Sequence, residues 1–321
     1  MDGISRVIGQ LLRFAWLQAR CCAFAVALIG GIAVSALLPE LPVARYDLVL
    51  VYGVLLAVLA RKLGWDGSRD TVVIAACHVI GLLFELVKVR LGSWSYPEAA
   101  LTKVAGVPLY GGFLYAAVGS YVCRAWRMMD LHLTGYRPRI MAVLAAAVYL
   151  NFFTHHWLPD LRWPLAAALL WATAGSRVCY RVGASRHHMP LCVSFVLIGF
   201  FLWVAENAAT FAGAWSYPDQ LDGWQPVTIS KAAAWALLIS VTFVLVASSR
   251  RAVAALPPGE AGAEGSGDDA GAFGHAETGG TKIGDTGCAT GSTSSTSAGE
   301  PALRACCGGR GTRRSAASAS P

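Results

Sequence analysis

Glu85 and Glu206 hold the same position in two copies of one pattern. Glu85 is followed by Gly92-Ser93-Trp94-Ser95-Tyr96-Pro97-Glu98, and Glu206 by Gly213-Ala214-Trp215-Ser216-Tyr217-Pro218-Asp219. Both read E-x6-G-x-W-S-Y-P-acid. Each carboxylate falls inside an apolar run, about two helical turns or roughly 10 Å below the glycine. An ionised carboxylate at that depth is costly unless it is paired, hydrated or protonated. A buried acid suits proton donation, so both are candidate catalytic groups. A duplicated clamp, in which each Glu holds the Trp or Tyr of its own motif, would give the same pattern.

Other polar residues fall near these acids. His78, Glu85 and Lys88 project from a similar face of one helix by their spacing. That argues for a polar interior cavity, with His78 and Lys88 as candidate substrate contacts. The matching positions of the second copy are Gly199 and Ala209, so the first copy is the more polar. Asn207, beside Glu206, adds amide capacity there.

A third group is Asn151-Phe152-Phe153-Thr154-His155-His156-Trp157-Leu158-Pro159-Asp160. Adjacent histidines on a helix diverge by about 100°, so one helix rarely offers both to one metal. At a helix end that limit loosens. His155 and His156 are therefore candidates for catalysis, for orienting a substrate with Asn151, or, with Asp160, for holding a metal. Interfacial packing remains the bland alternative. His187-His188 sits in an Arg-rich loop and reads as a solvated face.

The G-x-W-S-Y-P segments have their own physics. Gly permits a left-handed helix end, and Pro stops the helix from resuming. Trp and Tyr favour the headgroup level. Trp94, Tyr96, Trp215 and Tyr217 thus form anchored turns, or a paired lid over a cavity that holds the acids and the histidines.

The elements that position these residues are apolar. Of 321 residues, 55% are hydrophobic and 14% charged. Runs of about 20 apolar residues recur over the first 250 positions, long enough to cross a bilayer. The fold class is all-α, a polytopic membrane protein. Eight spans are expected, at about 21–38, 46–60, 71–91, 107–126, 139–154, 163–180, 190–211 and 229–248. Arg6, Arg13 and Arg20 precede the first run, which continues to Leu38 and reads as a retained helix rather than a signal peptide.

Loop charges set the orientation. One side collects Arg61, Lys62, Arg69, Arg124, Arg127, Arg137, Arg139, Arg177, Arg181, Arg186, Arg250 and Arg251, besides the N-terminal arginines. The other holds Arg45, Lys103 and Arg162, with Lys88, Arg90 and Lys231 near helix ends. The positive-inside rule makes the first side cytoplasmic, with both termini inside and both W-S-Y-P loops outside. An offset of four helices between the motifs makes the halves parallel: residues 1–128 and 129–250. From about Ala252 the chain turns to Gly, Ala, Ser and Thr, and residues 251–321 read as a disordered cytoplasmic tail.

Several functions are disfavoured. The net charge of +7 sits in loops where it sets orientation, and no basic stripe interleaved with aromatics indicates nucleic acid. The nine cysteines form no CxxC pair and read as small apolar residues. No nucleotide-binding, haem or flavin motif stands out, and no cofactor is assigned.

The E-x6-G-S-W-S-Y-P-E segment, the Gly106-Val107-Pro108-Leu109-Tyr110-Gly111-Gly112-Phe113 stretch and the N-F-F-T-H-H element resemble a bacterial membrane family catalogued as domain of unknown function 817. The resemblance covers roughly residues 15 to 248. It implies a multi-pass protein of the bacterial inner membrane and supplies no activity. The E-x6-G-x-W-S-Y-P element followed by G-V-P also resembles carotenoid hydratases and small lycopene cyclases, whose intramembrane acid protonates an isoprenoid double bond.

Three readings follow. The first is an acid/base enzyme on a lipid or isoprenoid, with the bilayer as its other partner. The second is a small-solute or proton-coupled transporter. The third is a structural or assembly protein.

Overall fold

The computed structural model describes residues 2–39 and 42–254. The expected tail, from residue 255 on, lies outside the described residues. Nine α-helices are found among the described residues: α1 (Asp2–Cys21), α2 (Ala23–Leu37), α3 (Arg45–Lys62), α4 (Ser68–Arg90), α5 (Gly111–Met128), α6 (Pro138–Thr154), α7 (Arg162–Thr173), α8 (Leu191–Phe211) and α9 (Ser230–Ala254). The last eight stand where the eight apolar runs were expected. Not all have the length to cross. Three helices, α4, α8 and α9, are long and apolar enough, and α1 with α2 meets that test only as a pair bent by 62°. At 12 residues, α7 is about 18 Å long, well short of roughly 30 Å of hydrocarbon.

Two boundaries differ from the sequence reading. The run at 163–180 is helical only to Thr173. Gly175, at φ +78°, turns the chain into the strands β4 (Arg177–Val182) and β5 (Ser185–Pro190), reached after β3 (His132–Thr134) in a sheet of order β3-β4-β5. Val182 pairs with Ser185, so Gly183 and Ala184 form a two-residue turn, with Gly183 at φ +62°. Arg177-Val-Cys-Tyr-Arg-Val is β-branched and aromatic enough to pair once a hairpin turn follows it. The run at 107–126 becomes helical only at Gly111. Before it, Lys103–Val104 and Val107–Pro108 close a small hairpin over Ala105 and Gly106, at φ +48° and +85°.

At the basic end, α1 lies against the sheet. Gln10 donates to Ser185 Oγ at 2.9 Å, and the Tyr121 hydroxyl donates to Gln18 at 3.0 Å. The rings of Phe14 and Tyr180 are 5.6 Å apart. Ile4, Val7, Ile8, Leu11, Leu12 and Trp16 form the exposed face of α1. By helical spacing Arg6, Arg13 and Arg20 lie opposite that stripe. On the same side Asp70 of α4 binds Arg250 of α9 at 2.6 Å and Arg127 of α5 at 3.4 Å.

At the other end Arg45, the first residue of α3, ties helix ends together. Its guanidinium donates to the carbonyls of Ala212 at 2.5 Å and Ile32 at 3.2 Å, and pairs with Glu98 at 2.5 Å. It thereby satisfies carbonyls left open where α8 ends. Asp47, near the start of α3, accepts from the backbone of Leu101 and Thr102 at 2.9 and 3.0 Å and fixes the loop before the Lys103–Val104 strand.

Candidate functional site

The two motifs close their helices identically. Gly92 and Gly213 take left-handed φ of +70° and +68°. Ser93 N donates to Lys88 O and Gly92 N to Val89 O; Ala214 N donates to Ala209 O and Gly213 N to Thr210 O. This is the Schellman pattern at both ends. The chain then returns over the helix, and the motif tyrosine reaches the acid. Tyr96 donates to Glu85 Oε2 at 2.9 Å, and Tyr217 donates to Glu206 Oε1. Both carboxylates are buried, each 4% exposed. Burial and the adjacent carboxylate hold the phenols of Tyr96 and Tyr217 well above their usual range, so they stay donors.

The remaining donors distinguish the two acids. Glu85 also accepts from Trp94 Nε1 at 2.6 Å and from the Tyr115 hydroxyl of α5 at 2.8 Å. Glu206 accepts from Trp235 Nε1 of α9 at 2.8 Å. Trp215 sits in an apolar cluster with Tyr46, Tyr110 and Tyr217. Gly81 makes room for Tyr115: a Cβ there would lie 2.3 Å from the Tyr115 ring. Sequence reading missed Tyr115 and Trp235. Their signal was faint: an aromatic donor 30 residues after Glu85 and 29 after Glu206.

The motif loops meet. Ser95 and Ser216 form an antiparallel bridge, with both N–H···O bonds at 2.9 Å. The rings of Trp94 and Tyr217 are 6.0 Å apart, edge to face. The Lys231 ammonium of α9 sits 4.0 Å above the Tyr217 ring centre.

His78, Glu85 and Lys88 share a helix but not a cavity. His78 packs 4.7 Å from the Phe113 ring, and its Nδ1 is buried with no partner among the described residues. Lys88 turns away toward the α6–α7 connection. Its Nζ lies 3.3 Å from His156 Nε2 and within 6 Å of the Phe84 and Phe152 ring centres. Asn207 accepts from Val227 N at 2.9 Å and donates to Trp203 O at 2.8 Å, holding the second loop to α8.

Asn151 organises the histidine turn. It donates to Asp160 at 3.1 Å and accepts from Leu161 N at 2.9 Å, closing residues 151–161 into a loop. His155 Nδ1 lies 3.2 Å from the Asn151 carbonyl, and its ring is 4.2 Å from that of His156. Burial, the Lys88 charge and the neighbouring ring hold His155 below its ordinary value; burial and Lys88 do the same to His156. Among the described residues no three His, Cys, Asp or Glu side chains gather as metal ligands.

Below the acids lies a narrow apolar cleft of about 40 Å³. Its walls include Phe84 and Ile80 of α4, Tyr115 of α5, Tyr149 of α6, and Leu202 and Trp235 of α8 and α9. Tyr115 and Trp235 are the very side chains that donate to Glu85 and Glu206.

Helices apolar and long enough to cross a bilayer, closed by aromatic loops over buried acids, give a mostly helical fold compatible with a membrane protein. Residues 10–243 match the family described as "Protein of unknown function (DUF817)", and the chain belongs to that family. It is 45% identical over 248 residues to the "Uncharacterized protein YoaT" of Bacillus subtilis (strain 168), covering 77% of this chain and 94% of that one. A solved structure of the cross-linked MvINS R77C trimer is similar at 23% identity, over 57% of this chain and 96% of that chain, with a TM-score of 0.40.

Proposed function

We propose that this protein engages the apolar chain of a lipid or isoprenoid in the cleft, with Glu85 working through Tyr115 as the acid/base pair. One observation carries the reading: Tyr115 is both a donor to Glu85 and a wall of the cleft. A phenol can pass a proton between a carboxyl group and a group in the cleft. The matching bridge to Glu206 is the indole of Trp235, which only donates and has no lone pair to take up a proton as it gives one, so it cannot relay. The first half is therefore the reactive one, and Glu206 holds its loop. About 40 Å³ is little more than one water's share of liquid volume, roughly 30 Å³. Side chains such as Leu202 must rotate aside for a chain to enter.

The reading includes a topology. The helices cross the bacterial inner membrane as two parallel halves, 1–128 and 129–250, with both termini inside. The chain crosses from the outer histidine turn to the inner sheet through the short α7 and the residues that follow it, and α1 lies in the plane of the inner interface.

Mass spectrometry of membrane lipids tests the chemistry. A deletion strain would be complemented with wild type, Glu85→Gln, Tyr115→Phe or Glu206→Gln. A lipid that accumulates on deletion should be cleared by wild type and Glu206→Gln, but not by Glu85→Gln or Tyr115→Phe. An unchanged profile with normal protein levels rejects the acid role. A second reading, a purely structural clamp, is favoured by the saturation of both carboxylates with two or three indole and phenol donors. It expects Glu85→Gln and Glu206→Gln to lose stability alike. Solute flux in proteoliposomes would point instead to transport.

A further inference from the structure

Lys88, Ser93 and His156 converge at the outer end of α4, and they do not satisfy one another. Lys88 is 3% exposed, and its ammonium has three N–H donors. Its hydrogen-bond partner is His156 Nε2 at 3.3 Å. Ser93 Oγ lies 3.4 Å from the same nitrogen. A buried ammonium is normally matched by a carboxylate, because the unmatched charge is costly. Among the described residues, neither Lys88 nor Lys231 is in an ion pair. Lys231 rests on the Tyr217 ring and lies 6.0 Å from the Trp94 ring centre.

Arg162 adds a third cation. Its guanidinium and the Lys88 ammonium flank the same Phe152 ring, at 5.8 and 5.9 Å from its centre. Its Nε is buried without a hydrogen-bond partner among the described residues. The carboxylates nearby are already engaged or set apart. Asp160 accepts from Asn151 and from the Arg162 backbone and lies 3.4 Å from the Arg162 guanidinium. Glu206 accepts from Tyr217 and Trp235. Asp219 acts on Lys231 from the loop without an ion pair.

We infer that Lys88, Ser93 and His156, flanked by Arg162 and Lys231, form a binding site for a phosphoryl group. A tetrahedral dianion accepts from several directions at once, which suits an ammonium, a hydroxyl and an imidazole converging with two further cations outside. A planar carboxylate would leave part of this set unmet. His156 reaches solvent, so the site is accessible from the outer side. The phosphoryl group is either free phosphate or the headgroup of an amphiphile. Phe84 belongs both to the cleft wall and to the rings beside Lys88. A headgroup on Lys88 would thus place its chain at the mouth of the cleft. That last step rests on the cleft reading above; the phosphoryl site does not.

The test uses purified full-length protein in dodecyl maltoside, a detergent without phosphate. Inorganic phosphate, dioctanoyl phosphatidic acid and dioctanoylglycerol are titrated by calorimetry. Saturable binding of phosphate or phosphatidic acid is expected, weakened about tenfold or more by Lys88→Gln and by His156→Asn. Ser93→Ala, mild enough to leave the fold intact, should cost a few-fold and guards against misfolding of Lys88→Gln. Phosphatidic acid binding well above phosphate assigns a lipid headgroup; equal binding assigns free phosphate. Wild-type binding no tighter than in folded Ser93→Ala and His156→Asn overturns the site. Tyr115→Phe should leave phosphate binding unchanged. A phosphate site without any lipid change on deletion would therefore reject the cleft reading alone.

Discussion

The backbones of Ser95 and Ser216 pair with each other, each N–H donating to the other's carbonyl at 2.9 Å. The two copies of the motif thus touch at the same residue, one place after the tryptophan. Each loop is held by its tyrosine to the acid below and by its serine to the other loop, and the first also by Trp94 to Glu85. The pairing uses main-chain atoms, which any residue but proline supplies.

Ser95→Pro should therefore lower thermal stability, while Ser95→Ala should not. Proline deletes one of the two bonds, about 0.5–1.5 kcal/mol. For a chain of this size that corresponds to a midpoint shift of roughly 1–6 °C. Thermal melts in detergent, followed by tryptophan fluorescence, would read it. A Ser95→Pro protein that melts with wild type would show that the bridge does not hold the loops.

Gly199 sets how closely α8 and α9 approach. A Cβ there would lie 2.6 Å from Ala236 N and 2.8 Å from Ala232 O, both backbone atoms that cannot swing aside. Small residues allow such approaches between helices in lipid. Gly199→Ala should destabilise the protein by about 1–3 kcal/mol. Gly30→Ala is the control, since a Cβ there meets nothing within 4 Å. Equal melting of the two variants would contradict the close packing.

The motif could be read from residues because its effects are local. Gly at a helix end, then an aromatic pair and Pro, specify a cap and a return, and both copies do this. The apolar runs likewise fixed which segments are helical. What spacing could not supply were the partners from other elements. Tyr115 and Trp235 come from helices that follow the loops, and their approach to the acids depends on how α5 and α9 cross. Lys88 was grouped with Glu85 by helical spacing, yet it turns to His156 because Phe84 and Phe152 offer it aromatic faces. The strand β4 was hidden in an apolar run, since Val, Cys and Tyr suit helix and strand alike until a hairpin turn decides.

The arginines of α1 read as orientation charges; the structure adds a stripe. If α1 lies in the inner interface, its face of Ile4, Val7, Ile8, Leu11, Leu12 and Trp16 meets acyl chains while Arg13 meets water. Spin labels at Leu12→Cys and Arg13→Cys, in a background without other reactive thiols, would separate these environments. The Leu12 label should be relaxed by oxygen and the Arg13 label by an aqueous nickel chelate. The same accessibility at both positions would remove α1 from the interface.

The histidine turn makes stability depend on pH. His155 and His156 are both held below the ordinary value of 6.5, chiefly by burial and then by Lys88. In the unfolded chain they protonate near 6.5. Between that value and the lowered folded values, the unfolded state binds more protons, so stability falls as pH drops and levels off below the folded values. Above about pH 7 neither ring contributes a slope. Melting midpoints measured from pH 7.5 down to 5 should show this decline. His155→Asn with His156→Asn should flatten that part of the curve, leaving the acid-side loss due to carboxylates. Phosphate should act oppositely on wild type, because an anion beside His156 favours its protonated form. Stabilisation by the phosphate dianion, after correction for phosphate's own protonation near pH 7, should therefore grow as pH falls through 6.5. A dianion effect independent of pH would mean that His156 is not among the groups that hold it.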